Sequence, residues 1–194
     1  MVIKEKILAK ALENAVFDGW NSAMLTHSAI AAGCAKNEAY IHFPRGISDL
    51  IDFFAEQKLG ELRESAKTMR EEKLTGKIIW LIMEYLKLNT KNQEAVKKLA
   101  GYYALNPTQG LKNLAALADE IWRLAGDKSA DFSYYTKRFS LAAIYSQTLL
   151  FWLSDDSEDF AATQGFLERR VADLMSFQKI KSEIKSVLSN GYAS

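Results

Sequence analysis

The sequence predicts an all-α protein, and three observations lead to this fold class. Apolar residues recur at spacings of three and four along most of the chain, and the alternation typical of half-buried strands is almost absent. Only two prolines and ten glycines interrupt the 194 residues, so long helices meet few breaks. Hydrophobic residues make up 48% and charged residues 25% of the chain, which is typical of a folded soluble protein.

Three helices are predicted in the first 46 residues. The first follows from a stripe of apolar residues on one face, which includes Ile7 and Leu12. Asn21 or Ser22 can cap the second helix, because short polar side chains accept hydrogen bonds from the free N–H groups at a helix start. Gly33 then breaks the chain before a short third helix. The first helix is predicted over Ile3–Val16 and the third over Lys36–Phe43. The second is predicted to run from its cap, Asn21 or Ser22, to Ala32.

Longer helices are predicted after Gly46, with breaks at Thr75-Gly76 and Asn106-Pro107 and a loop over residues 126–130. The segment Ile78–Met83 is apolar all round, which predicts a helix that is buried on most sides or lines a cavity. Two further helices are predicted to start at Ser48 and at Leu111. Three more are predicted over Asn92–Leu105, Phe132–Ser154 and Glu158–Met175.

The C-terminal tail has a different pattern. Its apolar residues are spaced by three, four, three and one, and lysines stand between them. This pattern predicts a basic amphipathic helix that lies on a membrane surface. The alternative is that the tail packs on its own domain or on a partner chain. The predicted membrane-binding residues are Phe177, Lys179, Ile180, Lys181, Ile184, Lys185, Val187 and Leu188.

Several kinds of chemistry are not expected from this sequence. The single cysteine, Cys34, excludes an intramolecular disulfide. The two histidines, His27 and His42, have no glutamate three residues before them, so no di-iron motif is present. There is no glycine-rich phosphate loop and no nucleophile elbow. We therefore expect no metal, no cofactor, no catalytic residue and no enzymatic activity.

Neither a membrane span nor a targeting segment is predicted. The longest charge-free run, Phe139–Ser154, contains several polar residues and is too short to cross a bilayer. Lysines and a glutamate interrupt the apolar positions of Met1–Trp20, unlike those of a signal peptide. The expected location is the cytoplasm of a bacterium, with peripheral attachment to the inner membrane. The alternative is a mature mitochondrial form on the matrix side of that membrane.

The first three predicted helices resemble the DNA-binding head of TetR-type regulators. In such heads the third helix enters the major groove and flanking basic residues contact phosphates. Here residues 1–46 contain five basic and four acidic residues, and the whole chain has a net charge of +1. Because phosphate contacts require a basic surface, DNA binding is not expected.

Long strings in the second half of the chain resemble the coenzyme Q biosynthesis protein nine family. They are LADEIWRLAGDKSADFSYYTKR (117–138), LAAIY (141–145), DDSEDF (155–160) and FLERRV (166–171), and DGW (18–20) and FPRG (43–46) match the family's head. The resemblance implies a TetR-like helical fold that has lost DNA binding, forms a homodimer and is not an enzyme. It further implies binding of an isoprenoid quinone intermediate or phospholipid, and presentation of that lipid to the di-iron demethoxyubiquinone hydroxylase.

The resemblance also assigns roles to residues. Tyr134 departs from the family, since some members have Trp there, but it keeps a flat amphipathic ring. The implied partner-binding residues are Asp119, Ile121, Trp122, Tyr134, Tyr135, Lys137 and Arg138. The aromatic-rich C-terminal half could equally be a packed core or a lined cavity, and our candidates for lipid binding are Trp80, Met83, Ile121, Ile144, Thr148, Phe151 and Phe166.

The expected organisation is a helix-turn-helix head over residues 1–46, a lipid-binding and dimerisation region over 47–176 and the amphipathic tail over 177–194. Two other functions stay open at this stage. One is a TetR-type transcriptional regulator that senses an apolar effector in the same region. The other is a helical interaction protein without a ligand.

Overall fold

The computed structural model of the chain describes residues 2–127 and 132–174, and these residues form helices without any strand. The all-α prediction is confirmed. The head contains α1 (Ile3–Asp18), α2 (Ser22–Ala31) and α3 (Glu38–His42). The C-terminal region contains α4 (Ile47–Ala66), α5 (Leu74–Lys87), α6 (Gln93–Leu105), α7 (Pro107–Leu124), α8 (Phe132–Trp152) and α9 (residues 161–174).

Local caps and buried apolar side chains hold the head together. The Met24 backbone N–H donates to Asn21 Oδ1 over 2.9 Å, so Asn21, one of the two predicted caps, caps α2. Gly19 ends α1 with a φ of +68°, a conformation that glycine adopts without steric cost. Leu25 of α2 and Phe43, which follows α3, are buried in the core.

The head and the C-terminal region share one continuous core. The Trp20 indole N–H donates to the Ala95 carbonyl over 2.9 Å, which ties the α1–α2 turn to α6. The same indole stacks on Phe54 of α4 with ring centroids 6.0 Å apart. The head is therefore fixed against the helices that follow it.

Three predicted helix starts are wrong. The α5 helix begins at Leu74, so Thr75 and Gly76 lie inside it rather than at a break. The α7 helix begins at Pro107 because proline fits the first helical position, where no N–H partner is needed. A 3₁₀ turn at Glu158–Phe160 precedes α9, with Asp159 in the left-handed region at a φ of 51°.

Among residues 2–127 and 132–174, no helix is both long enough and apolar enough to cross a membrane.

Candidate functional site

A cavity of about 630 Å³ lies between α4, α5, α6, α7 and α8. Apolar side chains form most of its wall, including those of Phe54, Leu99 and Leu117. Leu111 and Leu150 also line it, yet they are 66% and 64% exposed, so the cavity reaches the protein surface. A cavity of this size and polarity is typical of a site for an apolar small molecule.

A glycine lets α6 and α7 approach closely along the cavity wall. A Cβ atom at Gly110 would lie 3.0 Å from the Cβ of Tyr103, closer than side chains normally pack. Proline at the start of α7 fixes the direction in which this helix leaves the α6–α7 turn. The local sequence therefore sets the position of two walls of the cavity.

Polar groups gather at one edge of the cavity around Asp52. Its carboxylate accepts hydrogen bonds from Lys112 Nζ over 2.6 Å, from Gln109 Nε2 over 3.0 Å and from Arg45 Nη2 over 3.1 Å. Burial would raise the pKa of Asp52, but hydrogen bonds from Lys112, Gln109 and Asn113 outweigh it and hold that pKa below its ordinary value. The carboxylate is therefore ionised and well paired at neutral pH.

Three tyrosines line the cavity from different helices. Tyr85 of α5 and Tyr145 of α8 meet edge to face, with ring centroids 5.9 Å apart. The hydroxyl of Tyr103 accepts a hydrogen bond from Asn113 Nδ2 over 3.0 Å. Burial raises the pKa of Tyr103 to about 12 and raises the pKa of Tyr85 and of Tyr145 as well. All three phenols are therefore neutral at physiological pH.

The seven residues predicted to bind lipid do not line this cavity. Ile121, Ile144 and Thr148 are buried in the helical core. Trp80 and Met83 line a separate pocket of about 240 Å³, whose other lining residues include Glu71, Glu84 and Glu168. The rings of Phe151 and Phe166 stack on each other with centroids 4.8 Å apart. Lipid contact by these seven residues stays a prediction.

Sequence reasoning missed the α6 and α7 walls of the cavity. The missed residues include Leu99 and Tyr103 of α6 and Leu111 and Leu114 of α7. The apolar stripe of α7 was visible in the sequence, as was the Tyr102-Tyr103 pair. Nothing in those patterns distinguishes a residue that lines a cavity from one that fills a core.

The structure brings together several of the residues predicted to bind a partner. Arg138 Nε donates to Asp119 Oδ1 over 2.6 Å, which joins α8 to α7. Lys137 Nζ donates to Asp127 over 2.7 Å and lies 5.4 Å from the centre of the Trp122 ring. Tyr135, two residues before Lys137 on α8, is 72% exposed. These residues form a surface, here called the α7–α8 surface, with paired charges and an exposed ring.

Two residues of that prediction lie below the α7–α8 surface rather than on it. Ile121 is fully buried and Trp122 is 1% exposed, so neither reaches solvent in this conformation. Both support the surface from the core. The side chain of Tyr134 and the predicted membrane-binding tail, residues 177–194, lie outside the described residues.

Two of the five cations of the head form ion pairs within the protein. Arg45 forms ion pairs with Asp49 over 2.6 Å and with Asp52 over 3.1 Å. Lys10 pairs with Glu13 over 2.8 Å. In the part of the chain that the structure describes, no three His, Cys, Asp or Glu side chains gather as a metal site would require.

The arrangement of helices defines the class of protein as TetR-like. The chain is similar in structure to a TetR transcriptional regulator from Nitrosomonas europaea, with a TM-score of 0.71 and 19% sequence identity. The superposition covers 88% of this chain and 96% of that structure. At 19% identity, this likeness establishes the fold alone.

Sequence similarity identifies the family within that class. The family model for COQ9 matches residues 108–178. The chain is 33% identical to the ubiquinone biosynthesis protein coq9, mitochondrial, of Schizosaccharomyces pombe, over 93% of this chain and 73% of that protein. It is 30% identical to COQ9 of Homo sapiens over 95% of this chain and 61% of that protein. It is 32% identical to COQ9 of Xenopus tropicalis over 98% of this chain and 62% of that protein. The chain belongs to the COQ9 family of ubiquinone biosynthesis proteins.

Proposed function

We propose that this chain is a non-enzymatic, lipid-binding accessory protein of ubiquinone biosynthesis. In this proposal it holds an isoprenoid quinone intermediate and presents it to the membrane-associated di-iron demethoxyubiquinone hydroxylase. The observation that carries the proposal is the cavity of about 630 Å³ with its largely apolar wall. Membership of the COQ9 family supports the pathway, since its relatives are named as ubiquinone biosynthesis proteins.

The energetics of the cavity favour an apolar ligand. Apolar ligand surface that is removed from water contributes about 25 cal/mol per Å² to binding. The exposed leucines at the opening, Leu111 and Leu150, would let a long tail leave the cavity while its first part stays buried. Such a ligand binds without covalent chemistry and can be released again.

The α7–α8 surface is the proposed docking site for the hydroxylase. Tyr135 offers an exposed amphipathic ring, and tyrosine is enriched among residues that dominate binding energy. The pairs Arg138–Asp119 and Lys137–Asp127 lie beside it in this proposal, and the first of them holds α8 against α7. Tyr134 belongs to the proposed site by its place in the sequence.

Membrane attachment through the tail is proposed from the sequence pattern. Five apolar residues and three lysines fit the two faces of an interfacial helix. The relatives carry mitochondrial names, so we propose the matrix side of the inner membrane, or the cytoplasmic side of the inner membrane in a bacterium. A homodimer would strengthen this attachment through avidity.

Liposome co-sedimentation tests the tail. Replacing both Ile180 and Ile184 by Asp should abolish binding to anionic liposomes, because it places two charges on the apolar face. Unchanged co-sedimentation would mean that the tail packs on protein instead.

Mass spectrometry of lipids extracted from the purified protein tests the main proposal. We expect a quinone intermediate or another isoprenoid lipid at a sizeable fraction of one per chain. Ala100→Phe should reduce this fraction, since Ala100 lines the cavity and the added ring would occupy it. Ala143→Phe is the matched control because Ala143 is exposed on α8.

A lipid-free protein would contradict the proposal, as would equal lipid occupancy in the two variants. The transcriptional regulator would then be tested by a salt-dependent DNA shift assay. That alternative has support from the fold alone, and the pairing of Arg45 and Lys10 with carboxylates weighs against it.

A further inference from the structure

The charged residues that line the large cavity are unfavourable for an anionic head group. They are Asp52, Glu56 and Lys112, so carboxylates outnumber ammonium groups among the described lining residues. Lys112 Nζ lies 2.6 Å from a carboxylate oxygen of Asp52 and is already paired. Arg45 pairs with the same Asp52 carboxylate and Arg63 pairs with Glu56, so a phosphate would have to compete with carboxylates for cations that are already engaged.

Two of the tyrosines that line the cavity, Tyr85 and Tyr145, carry neutral hydroxyl groups that can donate hydrogen bonds. No hydrogen bond joins the hydroxyl of Tyr85 or of Tyr145 to another of the described residues. Their rings meet edge to face at 5.9 Å, so the two phenols belong to one cluster where α5 faces α8. A donor held in an apolar wall gains most from a ligand that brings an acceptor, because water there has few other partners.

We propose that the hydroxyls of Tyr85 and Tyr145 donate hydrogen bonds to a neutral carbonyl oxygen of the ligand and thereby select a quinone ring over a phosphate head group. This inference rests on the proposed function and names the residues that contact the ring of the ligand.

The electrostatic surroundings of the two phenols favour this role. Burial raises the pKa of both, so each retains the proton that it donates. The negative charge of Glu61 also raises the pKa of Tyr85. Neutral phenols of this kind donate to a carbonyl oxygen without introducing charge into an apolar cavity.

The test compares two ligands with the same tail by equilibrium dialysis against the full-length protein. Decylubiquinone carries ring carbonyls, and decylbenzene does not. Tyr85→Phe and Tyr145→Phe should each weaken decylubiquinone binding about 2- to 10-fold, which is the loss of one hydrogen bond. Both variants should bind decylbenzene as the unmodified protein does. Tyr102→Phe is the matched control, because the Tyr102 hydroxyl donates to Gln109 Oε1 over 3.1 Å rather than to a ligand.

An infrared measurement separates this role from a merely structural one. A hydrogen-bonded carbonyl stretches at lower frequency, so bound decylubiquinone should show a lowered C=O band that moves back in Tyr145→Phe. Unchanged quinone affinity and an unchanged band in both variants, with both ligands still bound, would overturn the inference and leave the proposed function standing. Tighter binding of dihexanoyl phosphatidylglycerol than of decylubiquinone would also overturn it. If the protein binds neither decyl ligand, the proposed function fails together with the inference.

Discussion

The head and the C-terminal region are built from similar amphipathic helices, but they fill their interiors to different extents. In the head, Ile7, Leu25 and Phe43 are buried and belong to the packed core. In the C-terminal region, α4 to α8 leave about 630 Å³ open between them. Since unfilled apolar space forfeits packing energy, the cavity is a cost to stability. Such a cost is expected where a region keeps space for a ligand.

The two regions also differ in what their charges do. In the head, Arg45 pairs with Asp49 and Lys10 pairs with Glu13, so these cations serve the fold. In the C-terminal region, ion pairs such as Arg138–Asp119 lie on the surface that we propose for docking. We therefore expect weak phosphate binding by the head, which has five basic and four acidic residues.

The largest expected effect is on the packed head. Leu25→Ala should lower the free energy of unfolding by about 3 to 5 kcal/mol, because it opens a cavity in a fully packed site. Leu99→Ala should cost less, about 1 to 2.5 kcal/mol, because Leu99 already faces open space on one side. Urea unfolding of both variants measures the difference.

Leu25 and Leu99 make a matched pair, since both are leucines with exposed fractions of 0% and 6%. Equal costs in lipid-free protein would contradict the difference in packing between the two regions. They would mean that the helices of the C-terminal region close over the cavity in solution.

An intermediate effect is expected at the link between α8 and α9. The Asp155 carboxylate accepts hydrogen bonds from the backbone N–H groups of Ser157 over 2.9 Å and Thr163 over 2.8 Å. Burial would raise the pKa of Asp155, but the bonds from Ser157 and Thr163 outweigh it and hold the pKa at about 2. Asp155→Asn should cost about 1 to 2 kcal/mol at pH 7, because the amide accepts more weakly than the carboxylate.

The pH dependence of that effect follows from the direction of the shift. A carboxyl whose pKa is lower in the folded state stabilises the fold above its unfolded pKa, and this contribution is lost as the pH falls towards about 2. The difference between the unmodified protein and Asp155→Asn should therefore shrink between about pH 4 and about pH 2. Asp156→Asn, at the exposed neighbouring position, should leave the free energy of unfolding unchanged over this whole pH range. A difference that is constant with pH would contradict this account.

The sequence determines the two regions to different degrees. The helices of the head were predictable because capping by Asn21 and breaking by Gly33 are local effects. The start of α5 was not predictable from local effects. A glycine such as Gly76 costs a helix about 1 kcal/mol, but the packing of the apolar turns that follow outweighs this cost. The cavity depends on space that several helices leave unfilled together. In sequence, Leu99 at its wall looks the same as Leu81 in the core.

The smallest expected effect on stability comes with a large expected effect on binding. Tyr135→Ala should change the free energy of unfolding by less than about 0.5 kcal/mol, because the side chain is 72% exposed. The same change should weaken binding to the purified hydroxylase at least about 10-fold, as truncation of a central interface tyrosine typically does. Surface plasmon resonance measures the binding and thermal unfolding measures the stability.

Phe17→Ala is the matched control for Tyr135→Ala, since it removes an aromatic ring that is 86% exposed on α1 of the head. It should leave both stability and hydroxylase binding unchanged, because we expect docking on the C-terminal region and not on the head. If Phe17→Ala weakened binding as much as Tyr135→Ala, the hydroxylase would contact the head. The TetR-like head would then be a protein-binding surface, and the two regions would share the docking role that we propose for α7 and α8 alone.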